Sequence, residues 1–154
     1  MGRLKALRTF VDKELFTIQD LEKRQSACAH LYGVSLAATL LAEKRKVNAE
    51  LASMSAMLHD LYAYTKGTYE EHAPKGAVLA RGILEQLQLS SPEETDAICQ
   101  AISRHDDKDA VHTPLDEVLK DADVLHHCLH DLSKPIKEKE AARYAALRRE
   151  LGLD

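Results

Sequence analysis

VNAELASMSAMLHDLYAY, residues 47–64, is the stretch whose reading decides the fold. Val47, Leu51, Met54, Leu58 and Leu61 recur at steps of 4, 3, 4 and 3, which gathers apolar side chains on one stripe of an α-helix. The opposite face carries Ala49, Ala52, Ser53 and Ala56, small enough to let another helix approach closely. A helix apolar on one side and small on the other belongs at the centre of a helical fold. His59 and Asp60 continue the small face at the C-terminal end, so two metal-competent side chains arrive where helices meet.

Working outward, the same periodicity recurs. Ala27, Leu31, Val34, Ala38 and Leu41 form a second 4, 3, 4, 3 stripe, with Thr17 read as the N-cap of its helix. A third helix is expected after Pro74, with Gly76, Ala80, Ile83, Leu84 and Leu87 on one side. Ser91-Pro92-Glu93-Glu94 is a start signal, with a serine cap, proline at the first helical position and glutamate three after the cap. Its helix presents Ile98, Ala101, Ile102 and then His105. Thr113-Pro114 opens another helix, through Leu115, Val118, Leu119, Ala122, Leu125 and Leu129, and Pro135 a last charged one ending near Gly152. Strand alternation is convincing nowhere. The expectation is an all-α fold, one helical bundle of about six to seven helices over residues 1–154. Its motif-bearing core spans about 25–125, and 135–152 form a C-terminal packing helix.

At 154 residues the chain is long enough for one good core. Twenty-one basic against 25 acidic residues give a net charge of −4, so nothing argues for general affinity for nucleic acid or membranes. No apolar run approaches the length of a spanning helix, and MGRLKALRTF lacks the apolar stretch of a signal peptide. Cys28, Cys99 and Cys128 are odd in number, without CxxC spacing; free thiols in a reducing cytoplasm are expected.

Several histidines and aspartates stand where helical stripes meet expected loops: His30, His59, Asp60, His72, His105 and Asp123. Taken singly, His30 at a stripe's edge and His105 within one read as satisfied core histidines. His72, beside Glu70 and Glu71, could lie on the surface. Asp123 is harder to dismiss, because a carboxylate beside an apolar stripe needs a cation or several donors. Together they are the set from which a divalent ion draws imidazoles and carboxylates on separate parts of a chain.

In this order, His30, then His59-Asp60 closing SAMLHDL, then Asp123 within DADVL, the chain resembles the HD-domain superfamily. The segments between fit as well: HxxxGA from His72 to Ala77, and IxxH from Ile102 to His105. The resemblance implies a metal-dependent phosphohydrolase or phosphodiesterase on a bundle of helices, similar to small single-domain bacterial members, including those resembling dinucleoside tetraphosphatases. It assigns a first metal to His30, His59, Asp60 and Asp123, and in two-metal branches gives His72 and His105 to a second.

One departure concerns phosphate. Many family members continue the pair as HDxxK, where the lysine contacts phosphate; here the text is HDLYAY, with Ala63 at that position. Lys66, Lys75 and Arg104 are near enough in sequence to be the phosphate contacts, with solvation on the surface as the alternative for each. A further dipeptide, His130-Asp131, is followed by nothing resembling a fourth ligand and reads as a decoy. His126, His127 and His130 share part of one helical face with Asp123. They read as polar residues at a helix end, where imidazolium suits the dipole, or as hydrogen-bonding neighbours of the site. Cys128 reads as packing.

The implied chemistry is attack on phosphorus by a metal-activated water, with Asp60 orienting or deprotonating it and His72 and His105 protonating the leaving oxygen if only one ion binds. Mixed histidine and carboxylate donors suit one or two ions of Fe, Mn, Co, Ni or Zn. The expected substrate is a small phosphorylated compound, a nucleotide first among them. A di-iron oxygenase on the same six ligands and a non-catalytic module binding metal or nucleotide are the alternatives.

Overall fold

The computed structural model describes residues 2–154, and its secondary structure among them is helical throughout. Eight helices follow in order: α1 (Arg3–Phe16), α2 (Leu21–Arg45), α3 (Ala49–Leu58), α4 (Leu61–Lys66), α5 (His72–Leu87), α6 (Pro92–Arg104), α7 (Pro114–Leu129) and α8 (Glu138–Leu151). Two of these helices go beyond the stripes read from the sequence. Leu7, Val11 and Leu15 form a short buried stripe of their own and make α1 a helix. The 47–61 stripe, in turn, runs across a break: Asp60 adopts φ −113° and ψ 6°, so the chain leaves α3 and restarts as α4.

α3 is the buried centre that its two-sided pattern implies. Every residue from Ala52 to Leu58 is buried, and α3 touches α1, α2, α6 and α7. Each fully buried Met54, Met57 or Leu58 contributes about 1.5–3 kcal/mol from the area it removes from water. The polar atoms on the small face find partners, Ser53 Oγ lying 2.6 Å from Ser35 Oγ on α2. α2 lies along both α3 and α7, α5 pairs with α6, and α8 packs on α7. Gly76 lets α5 come close to the break, since a Cβ there would stand 3.3 Å from the His59 carbonyl.

The Ser91–Glu94 capping box forms, and Thr113 makes a second one with Asp116. Three expected starts move. Thr17 closes α1, its hydroxyl donating to the Glu14 carbonyl, while Asp20 caps α2 by accepting from Lys23 N. α5 begins at His72 rather than after Pro74, following Glu71 in the left-handed region (φ 50°); the proline falls in the first turn, where an N–H has no helical partner. α8 begins at Glu138, three residues after Pro135, with Lys137 at its cap.

The loop between α6 and α7 is pinned by buried cations. Lys120 Nζ donates to the Ala110 carbonyl at 2.8 Å and contacts His112 Nδ1 at 2.7 Å. From α8, Arg143 donates to the carbonyls of Lys108 and Ala110. No helix among the described residues is long and apolar enough to cross a membrane.

Candidate metal centre

The break between α3 and α4 aims His59 and Asp60 at the same point as His30 of α2 and Asp123 of α7. One donor atom from each of the four lies within 4.8 Å of all the others, and all four residues are buried. His30 Nε2 stands 3.1 Å from His59 Nε2, 3.1 Å from Asp60 Oδ2 and 3.2 Å from Asp123 Oδ1. The other carboxylate oxygen of Asp60 faces a second group, 3.2 Å from His105 Nε2 and 3.6 Å from His72 Nε2. Asp60 therefore divides its two oxygens between two sets of imidazoles.

Hydrogen bonds on the far side of each ring fix which nitrogen faces inward. The Nδ1–H groups of His59, His105 and His72 donate to the carbonyls of Ala56, Ile102 and Tyr69 at 2.6, 2.7 and 2.9 Å. A carbonyl only accepts, so in the neutral form of each ring the lone pair is on Nε2, facing inward. His30 does the same through a side chain, its Nδ1 lying 2.9 Å from His126 Nδ1. Burial and the neighbouring imidazoles push His126 down to about 4, which leaves it neutral as the acceptor. Orienting a ligating imidazole through its remote N–H is the usual support of a metal site.

Two inward-facing carboxylate oxygens at this centre go without a donor. Asp60 Oδ1 and Asp123 Oδ1 are buried without a hydrogen-bond partner, and with the rings neutral the nitrogens beside them present lone pairs. Burial opposes protonation of His59, but Asp60 and Asp123 outweigh it and push the imidazole up to about 10. Burial likewise opposes ionisation of both carboxyls, yet His59 beside Asp60, and Lys108 beside Asp123, hold them well below the ordinary range. A divalent ion in place of the His59 proton would free that lone pair and satisfy the unpartnered carboxylate oxygens as well, so the donor set fits one.

The HD domain model matches residues 28–128, more than half of the chain. This chain belongs to the HD-domain family. A search of curated proteins finds no match. Among solved structures, it is similar to a predicted HD superfamily hydrolase from an uncultured Thermotogales bacterium, with 20% identity and a TM-score of 0.70 over 98% of this chain and 90% of that one. That likeness concerns the fold.

The three cations read as possible phosphate contacts in this HD domain lie elsewhere, Lys66 and Lys75 exposed as the surface alternative has it. Lys66, exposed at the end of α4, borders a separate cavity between α1, α4 and α5. Lys75 pairs with Glu71 at 3.2 Å, and Arg104 turns to Asp116 at 3.0 Å. Closeness in sequence misplaces them, because α5 and α6 present those positions away from the His72 and His105 faces.

Other residues reach the centre that single-residue reasoning left aside. Lys108, buried in the pinned loop, donates to Asp123 Oδ2 at 2.8 Å and to the His105 carbonyl at 2.6 Å. His126 supports His30. His127 Nδ1 meets buried Glu140 of α8 at 2.8 Å, while its Nε2 stands 3.4 Å from Asp123 Oδ1. His126 and His127 are thus more than helix-end polar residues. His130 stacks on His126, their ring centroids 4.7 Å apart, and Asp131 turns to Ser133, so this dipeptide stays outside both donor groups. Gly33, one turn after His30, was a readable signal: a Cβ there would fall 2.3 Å from His126 Cδ2. Lys108 was masked by the acidic run around it.

A cavity of about 370 Å³ opens over the centre, walled by Tyr64, Tyr69, His127 and the segment Lys137–Glu140. A smaller one of about 250 Å³ adjoins it and shares His30, Tyr64, His127, Lys137 and Glu140.

Proposed function

We propose that this HD-domain protein is a metal-dependent phosphohydrolase that cleaves a small phosphate ester or anhydride, with a nucleotide as the favoured substrate class. The observation that carries the reading is Asp60, whose two oxygens face two groups of inward-pointing imidazoles beneath one open cavity. His30, His59, Asp60 and Asp123 would hold one divalent ion, and Asp60, His72 and His105 a second. Bound there, such an ion acidifies a coordinated water toward neutrality and offsets charge developing on phosphoryl oxygens.

The chain's own groups do the rest. Lys108 occupies Asp123 Oδ2 and leaves Oδ1 facing the centre. Asp60 orients the attacking water or takes its proton. His105 is held by the Ile102 carbonyl, and His72, partly open to the cavity, by that of Tyr69; if one ion binds, they protonate the leaving oxygen.

The test is metal analysis of protein purified without chelator, combined with turnover of a panel of nucleotides and phosphate esters. Metal-dependent release of phosphate or nucleotide, lost in Asp60→Ala, is the expected result. Metal-loaded protein inert toward the whole panel would overturn the reading in favour of a binding module. Iron with an optical signature under air, and no hydrolysis, would point to oxygen chemistry instead.

A further inference from the structure

A phosphoryl group entering the cavity meets an acidic surround: Asp60, Asp106, Asp123 and Glu140 all line it. Metal ions can offset the ligand carboxylates, but the outward phosphoryl oxygens still need donors. Helix α4 supplies no cation toward the centre, since position 63 is a buried alanine and Lys66 borders another cavity. Lys108 is committed to Asp123. The lysines that do line the cavity are Lys137 and Lys139, at the cap and in the first turn of α8.

This start of α8 is held in place. Glu140, almost wholly buried, is tied to His127 of α7 at 2.8 Å. Three residues further on, Arg143 donates to the Lys108 carbonyl. Lys139 Nζ stands 3.5 Å from Asp106, the residue after His105, with half its side chain exposed. Lys137 makes no ion pair among the described residues and also lines the adjoining smaller cavity. The backbone that carries both lysines is thus fixed at the rim, and Asp106, at 3.5 Å from Lys139, is the carboxylate in contact with their ammonium groups among the described residues.

We propose that Lys137 and Lys139 bind the substrate's phosphate oxygens, so the phosphate clamp of this protein is carried by the start of its C-terminal helix rather than by the helix that follows His59-Asp60. The inference rests on the phosphohydrolase reading, and its test separates the two. Inorganic phosphate is titrated into Mn-loaded wild-type protein, Lys137→Ala, Lys139→Ala, the double variant and a matched surface control, Lys44→Ala. KM and kcat are measured for p-nitrophenyl phosphate on the same set.

Each single loss should weaken phosphate binding and raise KM about five- to tenfold, and the double loss about 50-fold, as expected for charge-assisted hydrogen bonds at a partly open site. Metal content and kcat should stay close to wild type, arginine at either position should restore most of the binding, and Lys44→Ala should change nothing. Equal phosphate affinity in wild type and double variant overturns the inference, whatever the esterase activity. Hydrolysis with unchanged KM in both single variants and the double also overturns it, and leaves the phosphohydrolase reading standing. Phosphate binding that depends on both lysines, without hydrolysis of any ester or nucleotide, upholds the clamp and sinks that reading.

Discussion

His30 and Asp123 come to Asp60 from the middles of the long helices α2 and α7, and His59 from the buried end of α3. His72 and His105 come from helix ends: the first residue of α5, after a left-handed turn, and the C-cap of α6. The first group is buried throughout, its inner histidine braced by His126 and its aspartate by Lys108. In the second, His72 is only half-buried. Donors packed on both sides are held rigidly, whereas one at an open helix start shifts with the loop it joins. One carboxylate therefore serves a rigid side and a softer one. The expectation is a tight ion at the first group and a weaker, more exchangeable one at the second.

The largest effect tests whether the two sides are joined at all. Asp60→Ala removes a donor from both groups, so metal content should fall from about two ions toward none and turnover by about a thousandfold or more, the scale of losing an essential metal-site group. Metal analysis and steady-state kinetics check this. Retention of a full ion at either group would break the idea of a shared carboxylate.

The next effect is confined to the rigid side. Gly33→Ala drives a Cβ to 2.3 Å from His126 Cδ2, and His126 must move off His30. Losing such support for a ligating imidazole costs about 10–100-fold in metal affinity, read by competition with a chelator. His126→Ala should cost a similar amount. Adding Gly33→Ala to His126→Ala should cost little more, because the clash partner is gone. Additive losses would show that Gly33 matters for another reason.

These tests also mark what could be read from the chain alone. The helices were legible because apolar stripes at 4 and 3 report burial directly, and His59-Asp60 stood out because it closed the most buried stripe. The break itself was not: Leu61 continues the apolar spacing, and only the backbone of Asp60 departs from a helix. The supporting residues escaped for a related reason. His127 depends on Glu140, thirteen positions later, and Lys137 and Lys139 on how α8 docks. Such contacts follow from tertiary packing, which periodicity along one helix does not carry. Lys66, Lys75 and Arg104 show the converse error, that a cation near a motif in sequence need not face it.

On the softer side the losses should be smaller. His105→Ala and His72→Ala should each lower metal content from about two ions toward one, leaving the first ion in place. They should differ in stability, since His105 is buried and leaves a cavity while His72 is partly open. A cost of about 1–3 kcal/mol for His105→Ala, and less than about 1 for His72→Ala, is the expected pattern in thermal unfolding of chelated protein. Unchanged stoichiometry in both variants would make the centre mononuclear and the comparison one of ligand against neighbour.

The smallest effect asks whether helix stability and site integrity are separable. Ser91 caps α6, which ends in His105, and Thr113 caps α7, which carries Asp123. Each alanine variant loses a capping hydrogen bond worth about 1 kcal/mol, which for a chain of this size lowers Tm by about 2–4 °C. Ser91 lies a full helix length from His105, so fraying at the cap should not reach the ligand, and metal content should be unchanged. Asp123 lies deeper in α7 and is held by Lys108 as well, so Thr113→Ala should spare it too. If Ser91→Ala nevertheless released the weaker ion while Thr113→Ala released none, α6 would be moving as a unit, and the softness of the second group would belong to the helix rather than to its end.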